Sequence, residues 1–257
     1  MTLAGISLLL GLLGGGGFFD TLPRQGTILW IGAHSDDEAL VAGSLLPQLS
    51  RRGYRVIVVA MTHGSSDGTE GHEYNEELAR TRRQKSQLAC NHYAAHGCLT
   101  LDFSQPAHYV HRPDWLWKES AEQVEAVWRT AAMPDTIDRL LAVFDPVLVL
   151  TLDPDHGMYG HPEHKAVARL VVEASARQRR TVYAAENRFF SLTKEVDPGP
   201  VSWTVPGEVS CGPVTCWQVG ANAAAVYQQG LPRLDRVPVE QRATFLRRLS
   251  AEGPSAR

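Results

Sequence analysis

Three short stretches narrow the possible architectures of this chain sharply. Residues 27–33 (TILWIGA), 55–62 (RVIVVAMT) and 146–152 (PVLVLTL) are apolar runs without strict alternation of apolar and polar positions. A strand with one wet face alternates, whereas a strand covered on both faces need not. All three read as strands inside a sheet with helices on both sides. Helical segments are expected between and after them. These are 37–52, ended by Gly53, then 74–93, 120–144 with an interruption at Pro134, and 161–177. Gly53 suits the left-handed position just past a helix end. Weaker strands are expected at 98–103 and 181–184, β structure with turns over 203–219, and a last helix over 239–249. Residues 104–118 read as an irregular aromatic insert, of a length that is usually functional or disordered. Strands alternating with helices predict an α/β fold with a mostly parallel sheet.

The chain has 257 residues, 44% of them hydrophobic, enough for one full-sized core. We expect a single domain over 25–257, preceded by an apolar leader over 1–24. The leader contains TLAGISLLLGLLGGGGFF, which is almost free of charge. It reads equally as an export signal or membrane anchor, or as the tail of a cytoplasmic protein. It lacks a basic start and a clear cleavage site, and Gly14–Gly17 weaken it as a helix. Membrane contact through it, compartment and oligomeric state stay open. A net charge of −3 argues against a nucleic-acid partner. The four cysteines, Cys90, Cys98, Cys211 and Cys216, show no C-x-x-C spacing and are expected as free thiols, with one or two disulfides, which need an oxidising compartment, as the alternative.

In a parallel α/β sheet, ligands bind beyond the carboxyl ends of the strands. Two of the apolar runs are followed there by chemistry. After the first comes Ala33-His34-Ser35-Asp36-Asp37-Glu38. After the third comes Asp153-Pro154-Asp155-His156-Gly157-Met158-Tyr159-Gly160-His161-Pro162-Glu163-His164. His34 and Asp37 are three apart at a helix start, and so are His161 and His164. Residues so spaced share a helix face. Acidic residues also favour the first helical turn for its dipole alone, so either segment by itself is weak evidence. Facing each other, the two supply three or four metal ligands and leave an acid over. Imidazole with one carboxylate suits zinc, with one coordination position open for chemistry.

These two segments resemble the A-H-P-D-D-E and G-H-P-D-H motifs of the PIG-L/LmbE-like deacetylases. The resemblance extends over roughly residues 26–185. It implies a Rossmann-like three-layer fold and a zinc-dependent hydrolase that removes N-acetyl from an N-acetylglucosamine-type amino sugar or its conjugate, a small-molecule substrate. By position it implies His34, Asp37 and His164 as metal ligands and Asp36 as general base. It implies His161 as oxyanion stabiliser or proton donor, with Tyr159 assisting. Arg82 matches a substrate-contacting arginine in the family's R-x-x-E segment, although Lys85 stands where that glutamate would be. Ser35 replaces the proline, which should loosen the turn. Glu163 replaces the aspartate of the family's G-H-P-D-H, a group expected to orient His161. Asp155, His156 and Trp115 are candidate substrate contacts, and Trp117, His108 and His111 candidate parts of a stacking wall, with His63 weaker. Rival readings are an amidase acting on a thiol or other conjugate and a non-catalytic sugar-binding module. A dinucleotide site is disfavoured, because no G-x-G-x-x-G follows the first strand.

Overall fold

The computed structural model describes residues 17–66, 74–111, 116–186, 201–227, 237 and 239–249. In chain order the first half runs β1 (Thr27–Gly32), α1 (Asp37–Val41), α2 (Leu46–Arg51), β2 (Arg55–Thr62), α3 (Glu76–Tyr93), β3 (Gly97–Phe103), β4 (Tyr109–His111) and β5 (Leu116–Trp117). The second runs α4 (Ala121–Thr130), α5 (Met133–Phe144), β6 (Pro146–Thr151), α6 (Gly157–Gly160), α7 (Pro162–Arg177), β7 (Val182–Glu186), β8 (Trp203–Pro206), α8 (Cys216–Tyr227) and β9 (Ala243–Leu249).

Seven strands form one sheet in the order β3-β2-β1-β6-β7-β9-β8, and β4 pairs with β5 as a separate hairpin. The first five are parallel, and β9 runs antiparallel to both its neighbours. Ile28, Leu29, Trp30 and Ile31 of β1 are all sealed from solvent, which is why that run shows no alternation. From β1 the chain winds out through β2 to β3, then returns to the other side of β1 as β6. The winding reverses between β1 and β6, so a crevice opens at their carboxyl ends, where ligands bind in open α/β sheets.

Helices cover the sheet as the apolar positions dictate. Ser120 caps α4 in a reciprocal box with Gln123, and Val124 and Trp128 face the core. The interruption expected at Pro134 is a left-handed Ala132 joining α4 to α5, with the proline seated in the first turn of α5. Phe18 packs edge-on against Tyr183 at 5.9 Å, so the end of the apolar leader joins the body. Residues 1–16 lie outside the described residues. Among the described residues no helix is long and apolar enough to cross a membrane. The cysteines are not the free thiols expected but the alternative: Cys90 pairs with Cys98 and Cys211 with Cys216, at Cα separations of 6.4 and 4.9 Å.

Four further expectations are corrected. Residues 37–52 form two short helices: Ala42 leaves helical geometry at φ −121°, and the turn that follows packs Gly43 closely on Gly220 of α8. Residues 216–219 are helical: the alanine-rich stretch that follows carries the helix, and Thr215 Oγ1 accepts from Gln218 N at 3.2 Å at its start. The 104–118 insert contains the β4–β5 hairpin. Residues 243–249 are a strand, with only Val239–Gln241 in a 3-10 turn before it. There, pairing on both edges overrides the leucine and arginine preference for helix.

Candidate metal centre

β1 delivers His34 two residues past its end, where α1 starts. β6 delivers the 153–160 loop, which leads into α7 with His161 as its N-cap. The two segments meet across the crevice. His34 Nδ1 lies 3.0 Å from His164 Nε2 and 3.4 Å from Asp37 Oδ1, and His164 Nε2 lies 3.0 Å from Asp37 Oδ1. Tetrahedral coordination with bonds of 2.0–2.1 Å has ligand–ligand edges of about 3.3 Å, so this triangle fits one small cation.

The surrounding hydrogen bonds fix which nitrogens face inward. His34 Nε2–H donates to Glu163 Oε2 at 2.6 Å, and His164 Nδ1–H donates to Gly157 O at 3.1 Å. In the tautomer that can bind a metal, each ring keeps its proton on the outside and turns its inner nitrogen toward the other ring and toward Asp37. The two inner nitrogens and the carboxylate oxygen need a positive charge among them, supplied in the metal-free protein by a second proton on His34 and otherwise by a cation that displaces it. Burial pulls the His34 pKa down, but Asp37 and Glu163 outweigh it and hold it at about 10. His164 and His34 in turn keep Asp37 well below the usual carboxylate range, against the opposing effect of its burial. The donor set is that of a divalent cation site.

Backbone features keep the triangle in place. Asp37 Oδ2 accepts from His34 N at 2.8 Å, which closes the turn that Ser35 was expected to loosen. A Cβ on Gly32 would stand 3.1 Å from Asp37 Oδ2 and 3.0 Å from Trp30 Nε1, so the strand ends on the residue that leaves this space open. Glu163 does not orient His161 through its side chain, as the sequence led us to expect. Its carboxylate spans His34 and the Ala107 amide, the latter at 2.9 Å, and only its backbone N–H reaches His161 Nδ1, at 3.2 Å.

Asp36 lies with His34 and Asp37 in a group whose ligand atoms are all within 4.8 Å of one another, and His161 joins His34 and His164 in a second such group. Since His161 Nδ1 accepts from Glu163 N, its proton sits on Nε2. Burial, then the neighbouring His164 and His34, push its pKa well below the usual histidine range. Tyr159 approaches His161 and His164 at ring distances of 5.7 and 5.3 Å, and burial raises its phenol pKa, so it stays protonated at neutral pH. Trp117 lies over His161 at 3.9 Å and Tyr109 over Trp117 at 4.1 Å, so the hairpin forms an aromatic wall on the centre.

Other candidates have different places. Arg82 Nη1 donates to Ser66 O at 2.8 Å and holds the loop after β2. Lys85 Nζ donates to Tyr227 O at 2.9 Å, satisfying the end of α8, which accounts for a lysine in that position. His63 Nδ1 accepts from Ser65 N at 3.1 Å within its own turn. His108 Nδ1 pairs with Glu119 Oε1 at 3.1 Å. Asp155 is held by Arg247 at 3.0 Å, and His156 gives its N–H to Asp153 Oδ1 at 2.6 Å. Trp115 and the side chain of His111 lie outside the described residues. The sequence reading passed over Asp153 and Arg247. An aspartate ahead of Pro-Asp-His is a local turn signal for the first, and the second has no local signal at all.

Residues 29–175 match the PIG-L family, described as GlcNAc-PI de-N-acetylase. The 1D-myo-inositol 2-acetamido-2-deoxy-α-D-glucopyranoside deacetylase of Saccharomonospora viridis is 32% identical over 174 residues, covering 63% of each chain. The like-named protein of a Mycobacterium species is 30% identical, and the match covers 62% of this chain and 52% of that one. The chain thus spans between about half and two thirds of the length of these curated relatives. Among solved structures, a zinc-inhibited form of teicoplanin deacetylase superposes with a TM-score of 0.63 at 18% identity, covering 87% of this chain and 99% of that one. At such identity the likeness speaks for the fold alone. With the family match spanning more than half of its length, and both motifs meeting at one crevice, the chain belongs to the PIG-L family.

Proposed function

We propose that the protein is a zinc-dependent hydrolase that removes the N-acetyl group from an N-acetylglucosamine-type amino sugar or its conjugate. The single observation that carries this reading is the triangle of His34 Nδ1, Asp37 Oδ1 and His164 Nε2, with a spare carboxylate, Asp36, beside it. The names of the curated relatives support the substrate class, since they act on a 2-acetamido sugar linked to inositol. His34, Asp37 and His164 would hold the ion. When bound, zinc supplies Lewis acidity that polarises an acyl oxygen and lowers the pKa of water.

The protein's own groups do the rest. Asp36 accepts the proton of the attacking water as general base. His161, neutral and protonated on Nε2, offers a hydrogen bond to the oxygen that gains charge as the amide carbon becomes tetrahedral. The Tyr159 phenol is a second donor of that kind. The proton held by Asp36 then passes to the departing amine, which leaves as the free amino sugar beside acetate. Trp117 and Tyr109 exclude water on the hairpin side.

The test measures zinc content and acetate release from a panel of N-acetylglucosamine conjugates. D36N should keep the metal and lose activity by about 10²–10⁴-fold, whereas H164A should lose the metal. Full zinc occupancy and turnover in H164A would refute the ligand assignment.

A further inference from the structure

The loop that presents the centre is under strain. Met158 has φ 64° and ψ −65°, and Gly157 and Gly160 on either side also have positive φ. A non-glycine residue in that region is strained and persists only where its surroundings impose it. Two features at the start of the loop do so. Asp153 Oδ1 accepts from the backbone N–H groups of Asp155 and His156 at 2.8 and 2.6 Å, folding the chain back on itself. Asp153 Oδ2 is gripped by the Arg247 guanidinium through Nε at 3.1 Å and through Nη2, and Nη2 also reaches Asp155 Oδ2 at 3.0 Å.

Arg247 comes from β9, beyond the part of the chain that matches the family. It sits opposite Ala184 on β7, with its Nε 3.6 Å from Glu186 Oε1. Burial and the adjacent Asp153 push the Glu186 carboxyl up to about 9, so it is neutral at pH 7 and leaves Arg247 to the two aspartates. Four residues after Asp153 stands Gly157, whose carbonyl accepts from His164 Nδ1 and so decides which nitrogen of that ring faces the centre. Four further on is His161.

We propose that Arg247 is a positioning residue: through Asp153 it holds the strained 153–160 loop in the shape that aims His164 and His161 at the metal. This rests on the metal-centre reading above. It gives β9, far along the chain from either motif, a task at the site.

The experiment measures Zn²⁺ affinity of the full chain by chelator competition, using Zn²⁺ alone, for wild type, R247M, R247K and R248M. Circular dichroism and melting temperature are recorded on the same samples. R248M, at an exposed neighbour on the same strand, controls for general damage to β9. R247M should weaken Zn²⁺ binding by about tenfold or more, the size of effect seen when groups behind a ligand are removed. R247K should lie between R247M and wild type, because lysine keeps the charge but cannot fork to two carboxylates. R248M should match wild type. Unchanged Zn²⁺ affinity in R247M, or an equal loss in R248M, overturns the proposal. Should R247M not fold, R247K at wild-type affinity overturns it and a weakened R247K upholds it. H164A in the same series separates the two readings. If H164A binds as tightly as wild type, the metal centre itself is misassigned. If H164A loses zinc while R247M does not, only the role of Arg247 falls.

Discussion

Replacing Glu163 with glutamine tests how strictly the centre depends on the group behind its first histidine. Both carboxylate oxygens of Glu163 act as acceptors, Oε2 toward His34 Nε2–H at 2.6 Å and Oε1 toward Ala107 N–H at 2.9 Å. An amide has one acceptor and one donor, so either orientation sets a donor against a donor. With its NH₂ toward Ala107, the buried Ala107 N–H is left unpaired, at a cost of about 1–3 kcal/mol. With its NH₂ toward His34, that ring must move its proton to Nδ1, the nitrogen that faces Asp37 and His164. The first outcome lowers stability and the second removes a metal ligand. Loss of such a partner typically weakens metal binding by about 10–100-fold, equivalent to about 1.4–2.7 kcal/mol. Chelator competition should show that loss in E163Q. The metal-free variant should melt a few degrees lower, at about 2–4 °C per kcal/mol for a chain of this size. Wild-type zinc affinity together with wild-type melting temperature in E163Q would mean that Glu163 does not hold His34 and Ala107 as described, because no orientation of the amide satisfies both neighbours.

Zinc affinity should rise with pH. The metal-free His34 pKa is held at about 10, so an ion must displace a proton at neutral pH, and affinity should gain about tenfold per unit between pH 7 and 9. A flat profile over that range would sink the assignment. The same shift makes a prediction for the metal-free protein: its folded pKa exceeds the unfolded value of 6.5, so this contribution to stability is complete below pH 6.5 and is lost as pH rises through 10. Urea unfolding of the metal-free protein across that window measures it. G220A should destabilise the fold by about 1–3 kcal/mol, since its Cβ would meet Gly43 backbone atoms at 2.6 and 2.7 Å and must push α8 away from the turn after α1. An unchanged urea midpoint would show that α8 yields freely.

Local pattern makes several parts of this chain readable before any fold is known. Unbroken apolar runs read as β1, β2 and β6 because burial on both faces removes alternation. The histidines and aspartates that follow β1 and β6 read as one site because strand ends of a parallel sheet share an edge. Tertiary structure alone decided whatever depends on partners distant in the chain. The 243–249 segment is a strand because β7 and β8 offer it two edges, although leucine and arginine prefer a helix. The turn that interrupts the helix expected over 37–52 packs Gly43 on Gly220, a contact that no local pattern announces. Glu163 serves His34 rather than its own neighbour His161, because α7 points that carboxylate across the crevice toward β1. Arg247 reaches Asp153 for the same kind of reason. A motif records which groups are near in sequence, whereas the bonds that set a ring's proton or hold a strained loop are formed by whatever the sheet brings alongside.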